Sequence, residues 1–262
     1  MDCDFVFVVL VYRNTNDLKD FFANLSVQNN KVIVVNSYFD DESEKAFKEI
    51  AENHGADFIS VPNNGYGAGN NRGCEYALKK YRFRYLVISN ADIEVNKMEL
   101  EQLKPYEDSI IAPKTLTLTG KNQNPFMIRH HPHIDSLKSW AYRKNLHKVI
   151  FFFSMLSRLE RELYLKITYP LFHSRKIYAA HGAFVILPYS VINKLSPIYN
   201  EKMFLFCEEE HLALLAKKNN IPIVYLPSVI IRHKEDGSTG ALGNNFIYVR
   251  ESYLEFYNYW YK

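Results

Sequence analysis

Four short apolar runs, separated by helical patterns, constrain how the amino-terminal part of the chain can fold. The runs are Phe5–Tyr12, Lys31–Val35, Asp57–Val61 and Tyr85–Ile88. They are rich in β-branched and aromatic residues, as is typical of strands that are buried on both faces. Apolar residues at helical spacing lie between them, so predicted strands and helices alternate. This alternation predicts an α/β fold with a mostly parallel, doubly wound sheet.

Polar side chains follow these strands at their carboxyl ends. Ser89-Asn90-Ala91-Asp92 comes directly after the fourth run, at the sheet edge where open α/β sheets bind ligands. A carboxylate there can hold Mg²⁺ or Mn²⁺ against a diphosphate, since these hard cations prefer oxygen ligands. The alternative is that Asp92 caps a following helix. Taken alone, this segment favours the helix cap.

Composition sets broad limits on the kind of protein. The chain has 262 residues, 47% of them hydrophobic and 23% charged, which suits a globular protein with a sizeable core. A net charge of +3 gives no argument for nucleic-acid binding. Three scattered cysteines indicate neither a disulfide framework nor a zinc cluster. The first apolar run has no basic stretch before it, so we expect no signal peptide and a cytoplasmic protein.

The second half of the chain is less regular. Short strands are predicted at residues 110–113, 115–119, 176–187, 222–226 and 228–231. Helices are predicted at residues 136–168, 208–219 and 246–261, with a loop at 121–135. We expect a single domain made of a regular α/β half, a less regular half with a helical insertion, and a terminal aromatic helix. Their predicted bounds are residues 1–112, residues 113–245 with the insertion at about 136–168, and residues 246–262.

A glycine- and asparagine-rich segment, Asn64–Gly73, follows the third strand. A dinucleotide-binding fingerprint would follow the first strand and would have a third glycine where this segment has Arg72, so NAD binding is disfavoured. The segment instead suits a backbone that approaches a nucleotide or phosphate at the start of a helix. The alternative is a turn that needs positive φ angles, although one turn does not require so many glycines.

Two further segments carry candidate chemistry. Glu208 and Glu209 begin a predicted helix after an aromatic stretch. They are either solvated carboxylates favoured by the helix dipole, or a general base with a neighbour that tunes it. His233 ends a predicted strand, and at that sheet edge it is a candidate second metal ligand beside Asp92, although a lone His is more often structural.

These segments, in this order, resemble family 2 glycosyltransferases of the GT-A fold, especially the rhamnosyltransferase-like members that build bacterial surface polysaccharide. The likeness runs from Val8 to about Trp260, and its most specific part is Asn64–Gly73. Asn90-Ala91-Asp92 stands where the family has D-x-D. The other similar segments are Val11–Asn14, Val34–Asp41, Gly182-Ala183, Glu208-Glu209 and His233–Ser238.

The resemblance implies a GT-A fold: a Rossmann-like, mostly parallel sheet flanked by helices, with a carboxyl-terminal acceptor-side region and a helical extension. It implies inverting, metal-dependent transfer from a nucleotide-diphosphate sugar. Glu209 would be the base beside Glu208, and Asp92 would hold Mg²⁺ or Mn²⁺ with His233. The implied nucleotide-sugar-binding residues are Tyr12, Asn14, Asn36, Asp41, Asn64, Gly65, Gly69, Asn70, Arg72 and Asn90. The implied acceptor-side residues are His181, Gly182, Ala183 and His211.

Three departures from the family pattern concern specificity. Asn36, Glu209 and His211 each stand where the family usually has Asp. Asn36 bears on which nucleobase the protein prefers. Glu209 as the proposed catalytic base has a side chain one methylene longer than Asp, and His211 bears on how the acceptor is bound. These departures keep open an alternative function, a nucleotide-sugar-binding or regulatory module of the same fold with weakened catalysis. A nucleotidyltransferase is disfavoured, because no glycine-rich basic loop follows the first strand.

The expected partners are a nucleotide-diphosphate sugar, such as dTDP-rhamnose or a UDP-hexose, and a saccharide acceptor that is either free or lipid-linked. The segment from Lys138 to Arg161 interleaves basic and aromatic residues, and the chain ends in an aromatic cluster. Such segments suit an anionic membrane surface. The alternative is that these helices bury their rings against the sheet.

Overall fold

The computed structural model describes residues 1–168, 173–234 and 245–262. Its strands are β1 (Phe5–Val11), β2 (Asn30–Ser37), β3 (Asp57–Val61), β4 (Tyr85–Asn90), β5 (Ile93–Lys97), β6 (Ile110–Thr117), β7 (Arg175–Ile177), β8 (Phe184–Pro188) and β9 (Ile223–His233). Its α-helices are α1 (Thr15–Asn24), α2 (Asp41–Asn53), α3 (Tyr66–Lys80), α4 (Leu100–Leu103), α5 (Pro132–Arg143), α6 (His147–Thr168), α7 (Tyr189–Leu195), α8 (Glu208–Lys218) and α9 (Asn245–Tyr261).

The strands form one mixed sheet in the order β3-β2-β1-β4-β8-β6-β9-β5, with β7 also paired to β9. The four amino-terminal strands are parallel, as the alternation of strands and helices predicts. Beyond them, β8 runs antiparallel to β4 and to β6, and β5 runs antiparallel to β9. Strand β6 runs parallel to β9. The four amino-terminal parallel strands therefore form the helix-flanked half of the sheet, and strands of both directions extend it.

Strand β1 shows why this part of the chain is so apolar. Val6 and Val8 pack into the hydrophobic cluster on one face of the sheet. Phe5, Phe7 and Val9 pack into the cluster on the other face. A strand that is covered on both faces has no solvent side, so it reads as a continuous apolar run.

Helix α3 approaches this sheet closely because glycines lie on its inner side. A Cβ atom at Gly73 would lie 2.3 Å from Cγ1 of Val8 and 2.8 Å from Cγ2 of Val35. A Cβ atom at Gly69 would lie 2.5 Å from Cδ1 of Leu10. These glycines are therefore needed for helix packing, which is a structural reason for the glycine-rich pattern.

Several predicted elements have different bounds in the structure. The residues after Asp92 form the strand β5 and not a helix, so the helix-cap interpretation of Asp92 is wrong. The two strands predicted at 110–119 are one strand, β6, and those predicted at 222–231 are one strand, β9. The predicted helix 136–168 is two helices, of which α5 begins inside the predicted loop. The family-like ending His233–Ser238 lies outside the described residues from 235 onward.

A third hydrophobic cluster joins α5 and α9 to the segment before α8. Ala141 and Tyr142 of α5 pack with Tyr253 and Phe256 of α9 and with Cys207. The hydroxyl of Tyr253 also donates a hydrogen bond to the Asp135 carboxylate, at 3.2 Å. The terminal aromatic helix thus buries part of its rings in a core. No helix in the described ranges is long and apolar enough to span a bilayer.

The close packing of α3 on β1 can be tested by adding one methyl group. We expect Gly73→Ala to lower the free energy of unfolding by about 1–2 kcal/mol, because overpacking outweighs the helix propensity gained from alanine. Urea unfolding measures this. The control Lys79→Ala, at an exposed position of the same helix, should stay within about 0.5 kcal/mol of the wild type. A Gly73→Ala variant as stable as the wild type would contradict this account of the packing.

Candidate active site

A cleft of about 860 Å³ opens at the carboxyl ends of β1, β2 and β4 and extends under α5 and α6. It brings together most of the residues that the sequence singles out. The predicted site residues that line it are Tyr12, Asn14, Gly65, Asn90, Asp92, His181, Gly182, Ala183, Glu208, Glu209 and His233. One cleft thus contains residues that were predicted to bind the nucleotide, the metal and the acceptor.

Asp92 and His233 meet because β5 pairs with β9. Ile93 at the start of β5 is in register with His233 at the end of β9, and the backbone N–H of Lys234 donates to the Asp92 carbonyl at 3.0 Å. The two side chains are buried, and Asp92 Oδ2 lies 3.3 Å from His233 Nε2. The strand pairing therefore creates a carboxylate–imidazole pair in the cleft.

The hydrogen bonds around this pair fit a divalent cation. His233 Nδ1 lies 2.8 Å from Gln123 Oε1; because that oxygen only accepts, Nδ1 donates and Nε2 is left to face Asp92. Asp92 Oδ2 is buried and has no hydrogen-bond partner. The described residues contain no group of three or more His, Cys, Asp or Glu side chains placed to bind a metal. Asp92 and His233 would therefore supply two ligands, with oxygen atoms of a substrate completing the coordination shell.

Glu208 and Glu209 begin α8 and point at the same cleft. Burial, and then the neighbouring charge of Glu210, raise the pKa of Glu209 to about 7. Burial, and then the charge of Glu209, raise the pKa of Glu208 well above its ordinary value. Since the two groups titrate together, the second ionisation is strongly disfavoured, and the pair holds one carboxylate near neutral pH. A carboxylate with a pKa near the working pH is suited to accept a proton from a substrate.

Gly182 holds the Glu209 carboxylate in place. Its backbone N–H donates to Glu209 Oε1 at 3.2 Å. A Cβ atom at Gly182 would lie 3.0 Å from the same oxygen, so a side chain there would crowd the carboxylate. The Gly182-Ala183 segment therefore positions the candidate base.

The backbone before α8 is strained, and this strain aims the carboxylates. Phe206 and Cys207 have φ angles of 75° and 70°, in the left-handed region that non-glycine residues rarely adopt. Strain of this kind concentrates at functional sites, where the surrounding structure must hold it. Here the buried Cys207 side chain in the third cluster provides that support, and the turn leads directly into Glu208.

Tyr66 is a central residue that the sequence analysis did not single out. Its hydroxyl lies 2.9 Å from the Gly182 carbonyl oxygen, to which it donates, and 3.2 Å from Asn90 Oδ1. It thereby connects the glycine-rich segment to the acceptor side and to the strand end before Asp92. A tyrosine between two glycines of that segment was the only available signal.

His181 lies beside the metal candidates. Its ring centroid is 5.7 Å from that of His233. Burial lowers the pKa of His181 to about 3, and the neighbouring His233 and Arg161 side chains act in the same direction. His181 is therefore neutral at physiological pH, and its Nδ1 accepts a hydrogen bond from the Ala183 N–H at 3.3 Å.

Three residues that were predicted to bind the nucleotide are packed inside the protein and do not line the cleft. Asn36 is fully buried and donates from Nδ2 to Ser60 Oγ at 3.0 Å. Asn70 is also fully buried and donates to the Tyr66 carbonyl. Gly69 packs on β1, as described above. None of the three lines the cleft, and their roles in nucleotide binding stay predictions.

Four other predicted residues also lie away from the cleft. The guanidinium of Arg72 pairs with Glu201 at 2.8 Å and with Glu75 at 2.7 Å, and Asp41 accepts from Tyr38 on the surface. Asn64 is exposed, and its neighbour Asn63 lines the cleft instead.

The fourth residue, His211, is buried against α9. Its Nδ1 accepts from the indole N–H of Trp260 at 3.0 Å. Burial lowers the pKa of His211 to about 4, so the ring is neutral. His211 does not line the cleft, and its acceptor-side role stays a prediction.

Basic residues of α5 and α6 line the acceptor end of the cleft. They are Lys138, Arg158 and Arg161. The sequence analysis predicted that this segment either lies on a membrane surface or covers the sheet. The signal that it missed is the spacing of Ser154, Ser157, Arg158 and Arg161, which puts all four on one helix face.

Comparison with known proteins agrees with this geometry. Residues 6–110 match the sequence profile of the family described as Glycosyl transferase family 2. This stretch carries that family's pattern. Over 260 residues the chain is 24% identical to the low-salt glycan biosynthesis hexosyltransferase Agl10 of Haloferax volcanii, an alignment that covers 97% of this chain and 74% of that protein. Both findings support a glycosyltransferase.

Solved structures share the fold over 88% of this chain. A crystal structure of GalNAc-T7 with UDP, GalNAc and Mn²⁺ has a TM-score of 0.60 at 10% identity, and S. aureus TarS 1-349 has a TM-score of 0.56 at 12% identity. This chain spans 44% of the first and 60% of the second, so it corresponds to less than two thirds of either. These likenesses show the fold, and the predicted GT-A fold is confirmed.

The raised pKa of Glu209 predicts a stability difference that depends on pH. The folded protein binds this proton more tightly than the unfolded chain does, so ionisation costs stability as pH rises from about 4.5 to about 7. Glu209→Gln cannot ionise and keeps an acceptor for Gly182. We expect the free energy of unfolding of Glu209→Gln, relative to that of the wild type, to rise by up to about 3 kcal/mol between about pH 5 and about pH 8. Urea unfolding at several pH values measures this difference.

The control for this measurement is Glu49→Gln, at an exposed position of α2. Its stability relative to the wild type should not change over the same pH interval. A Glu209→Gln variant whose relative stability is equally flat would show that Glu209 titrates as it does in the unfolded chain.

Proposed function

We propose that this protein is an inverting family 2 glycosyltransferase. It moves a hexosyl or rhamnosyl group from a nucleotide-diphosphate sugar, dTDP-rhamnose or a UDP-hexose, to a saccharide acceptor in the synthesis of a bacterial surface polysaccharide. The single observation that carries the proposal is the presence, in one cleft, of a carboxylate with a pKa of about 7 and a separate Asp92–His233 pair. The residue proposed as the base is thus different from the residues proposed to stabilise the leaving group.

The transfer step needs a base on the acceptor side. An acceptor hydroxyl gives its proton to Glu209, and its oxygen attacks the anomeric carbon on the face opposite the nucleotide. The bond from that carbon to the diphosphate oxygen breaks, and the nucleoside diphosphate leaves with the electron pair. Gly182 keeps the Glu209 carboxylate oriented during this step.

The leaving group needs charge stabilisation on the donor side. A divalent cation held by Asp92 and His233 would neutralise charge on the diphosphate. The Mn²⁺ and UDP named for the GalNAc-T7 crystal structure support this choice of cofactor. With two protein ligands and Asn90 in place of a second carboxylate, we expect weak metal affinity without the donor.

Tyr12, Asn14 and Asn63 lie at the nucleotide end of the cleft. The Arg13 guanidinium stacks 3.9 Å from the Phe39 ring centroid, beside Tyr12, whose ring is 5.6 Å from that of Phe39. This group gives the nucleotide side an aromatic and polar wall. The binding roles of Gly65 and Asn90 remain predictions.

Replacing the two central carboxylates tests the catalytic assignment. Glu209→Gln should lower kcat by about 10²–10⁴-fold, because the general base is lost while substrate contacts remain. Asp92→Asn should weaken activity and its dependence on Mn²⁺ together. The wild-type kcat/KM should fall below about pH 7, as Glu209 becomes protonated. Donor turnover with Mg²⁺ or Mn²⁺ across a panel of nucleotide sugars is the measurement.

The same panel separates this proposal from the second candidate, a nucleotide-sugar-binding module with weakened catalysis. The shortage of metal-binding side chains near Asp92 among the described residues favours that candidate. Binding of a nucleotide sugar without turnover would support the module and overturn the enzyme. Near-full activity in Glu209→Gln would remove Glu209 from the role of base, while Glu49→Gln should behave as the wild type.

We further propose that the acceptor is lipid-linked and that α6 lies on an anionic bilayer. One long face of α6 is apolar and exposed, comprising Phe151, Phe152, Met155, Leu156, Leu159, Leu163 and Ile167. Lys144, Lys148 and Lys166 are also exposed on or next to this helix, so its charge complements anionic headgroups. An amphipathic helix with basic flanks suits the plane of a membrane surface.

A co-sedimentation assay with vesicles of phosphatidylglycerol and phosphatidylcholine tests this surface. The wild type should sediment with the anionic vesicles, and the triple variant Phe152→Ser/Leu159→Ser/Leu163→Ser should bind at least about tenfold more weakly, because it loses apolar area. The control Leu118→Ser/Ile247→Ser changes exposed apolar residues elsewhere and should bind normally. Absence of wild-type binding would refute membrane association and leave the transfer activity untouched.

A further inference from the structure

Helix α6 has a polar inner face that the proposed reaction does not use. Ser154, Ser157, Arg158 and Arg161 recur at spacings of three and four residues, and all of them line the cleft. Side chains at this spacing lie on one side of a helix. The exposed apolar face described above occupies the other side. Thus α6 presents two guanidinium groups and two hydroxyls to the substrate space.

The guanidinium of Arg161 is short of a partner. Its Nε atom is buried and makes no hydrogen bond to any residue in the described part of the chain, and burial lowers the pKa of Arg161. A buried charge without a partner costs free energy. Arg158, one turn away and exposed to the cleft, likewise has no ion pair among the described residues. Within residues 1–168, 173–234 and 245–262, no carboxylate pairs with these two arginines, so they are placed to bind an anion of a substrate.

Glu210, Glu209 and Asp92, three of the carboxylates in the cleft, have other neighbours, whereas Oε1 of Glu208 is buried without a hydrogen-bond partner in the described part of the chain. Lys138 is the nearby positive charge that lowers the pKa of Glu210 against the effect of its burial, and its Nζ also lies 5.2 Å from the Tyr253 ring centroid. Gly182 satisfies Glu209, and His233 faces Asp92. Among the described residues, none of the cleft carboxylates forms an ion pair with Arg158 or Arg161.

The position of Arg161 shows which part of a substrate it can reach. Arg161 lines the same cleft as His181, whose ring contacts that of His233. Arg161 and Arg158, one turn earlier in the helix, therefore form a wall of the cleft that also contains the Asp92–His233 pair. An anion bound here would be close to the reacting atoms and still in contact with α6.

We propose that Arg158 and Arg161, with the Ser157 hydroxyl, bind a phosphoryl group of a substrate. The planar guanidinium fork matches phosphoryl oxygens in pairs, which an ammonium group does not. This subsite deepens the proposed function and rests on it for the identity of the substrate. Its ligand is either the diphosphate of the sugar donor or the phosphate that joins a lipid-linked acceptor to its lipid.

Binding measurements with two probes distinguish these sources. UDP or dTDP with Mg²⁺ represents the donor, and farnesyl diphosphate, a short lipid diphosphate, represents the acceptor. In isothermal titration calorimetry, Arg161→Gln should bind one of these probes about 10- to 100-fold more weakly, the loss expected for hydrogen bonds to a charged group. Arg161→Lys should recover only part of the affinity, because it keeps the charge and loses the fork. Arg158→Gln should weaken the same probe.

The control is Lys166→Gln, which removes an exposed charge from the same helix outside the cleft. It should bind both probes as the wild type does. Thermal unfolding of every variant shows whether the fold is intact; if Arg161→Gln does not fold, Arg161→Lys and Arg158→Gln carry the test.

Each outcome has one meaning for the subsite. Loss of nucleoside diphosphate binding assigns it to the donor, and loss of farnesyl diphosphate binding alone assigns it to the acceptor. Unchanged binding of both probes in folded variants overturns the proposal, as does a wild type that binds neither probe. These binding measurements need no turnover. The subsite can therefore be supported even if no sugar transfer is found, and it can be refuted even if sugar transfer is found.

Discussion

The pairing of β5 with β9 joins two parts of the chain that are far apart in the sequence, and the chemistry of the cleft depends on it. The antiparallel register places Ile93 opposite His233, which puts Asp92, one residue earlier, against the imidazole. Gln123, from the loop after β6, then fixes the ring through Nδ1. The Asp92–His233 pair thus results from the sheet topology. Either residue alone would be a polar residue at the end of a strand, with no sign of a shared site.

A second constraint operates on the opposite wall of the cleft. The glycine-rich segment and α3 pack so closely on the chain around them that backbone contacts replace side chains. A Cβ atom at Gly65 would lie 2.2 Å from the Phe204 carbonyl oxygen, and the Tyr66 N–H donates to that same oxygen at 2.8 Å. The Phe204 segment leads into the strained turn before Glu208. Close packing of α3 therefore helps to set the direction of the two carboxylates.

The sequence predicted the helix-flanked parallel strands and the groups at their ends, because a strand buried on both faces has an unmistakable composition. Asp92, Glu209 and His233 were found in the same way, as polar residues at element ends. Side-chain direction was harder to predict. Asn36 and Asn70 are in the expected segments, yet both are buried in the fold, since a motif position does not state which way a residue points. Arg72 was expected at the nucleotide, but Glu201, far away in the sequence, holds it.

Helix α6 was predicted as a membrane or core-covering helix, and its polar residues were not distinguished from its apolar ones. In the structure it separates a cleft-facing arginine and serine face from an exposed apolar face. This division makes the helix tolerant of conservative substitution and intolerant of insertion or deletion. One extra residue early in α6 would rotate everything after it by about 100°. Leucines would then enter the cleft and arginines would face outward, so the spacing of this helix is under tighter constraint than any single side chain in it.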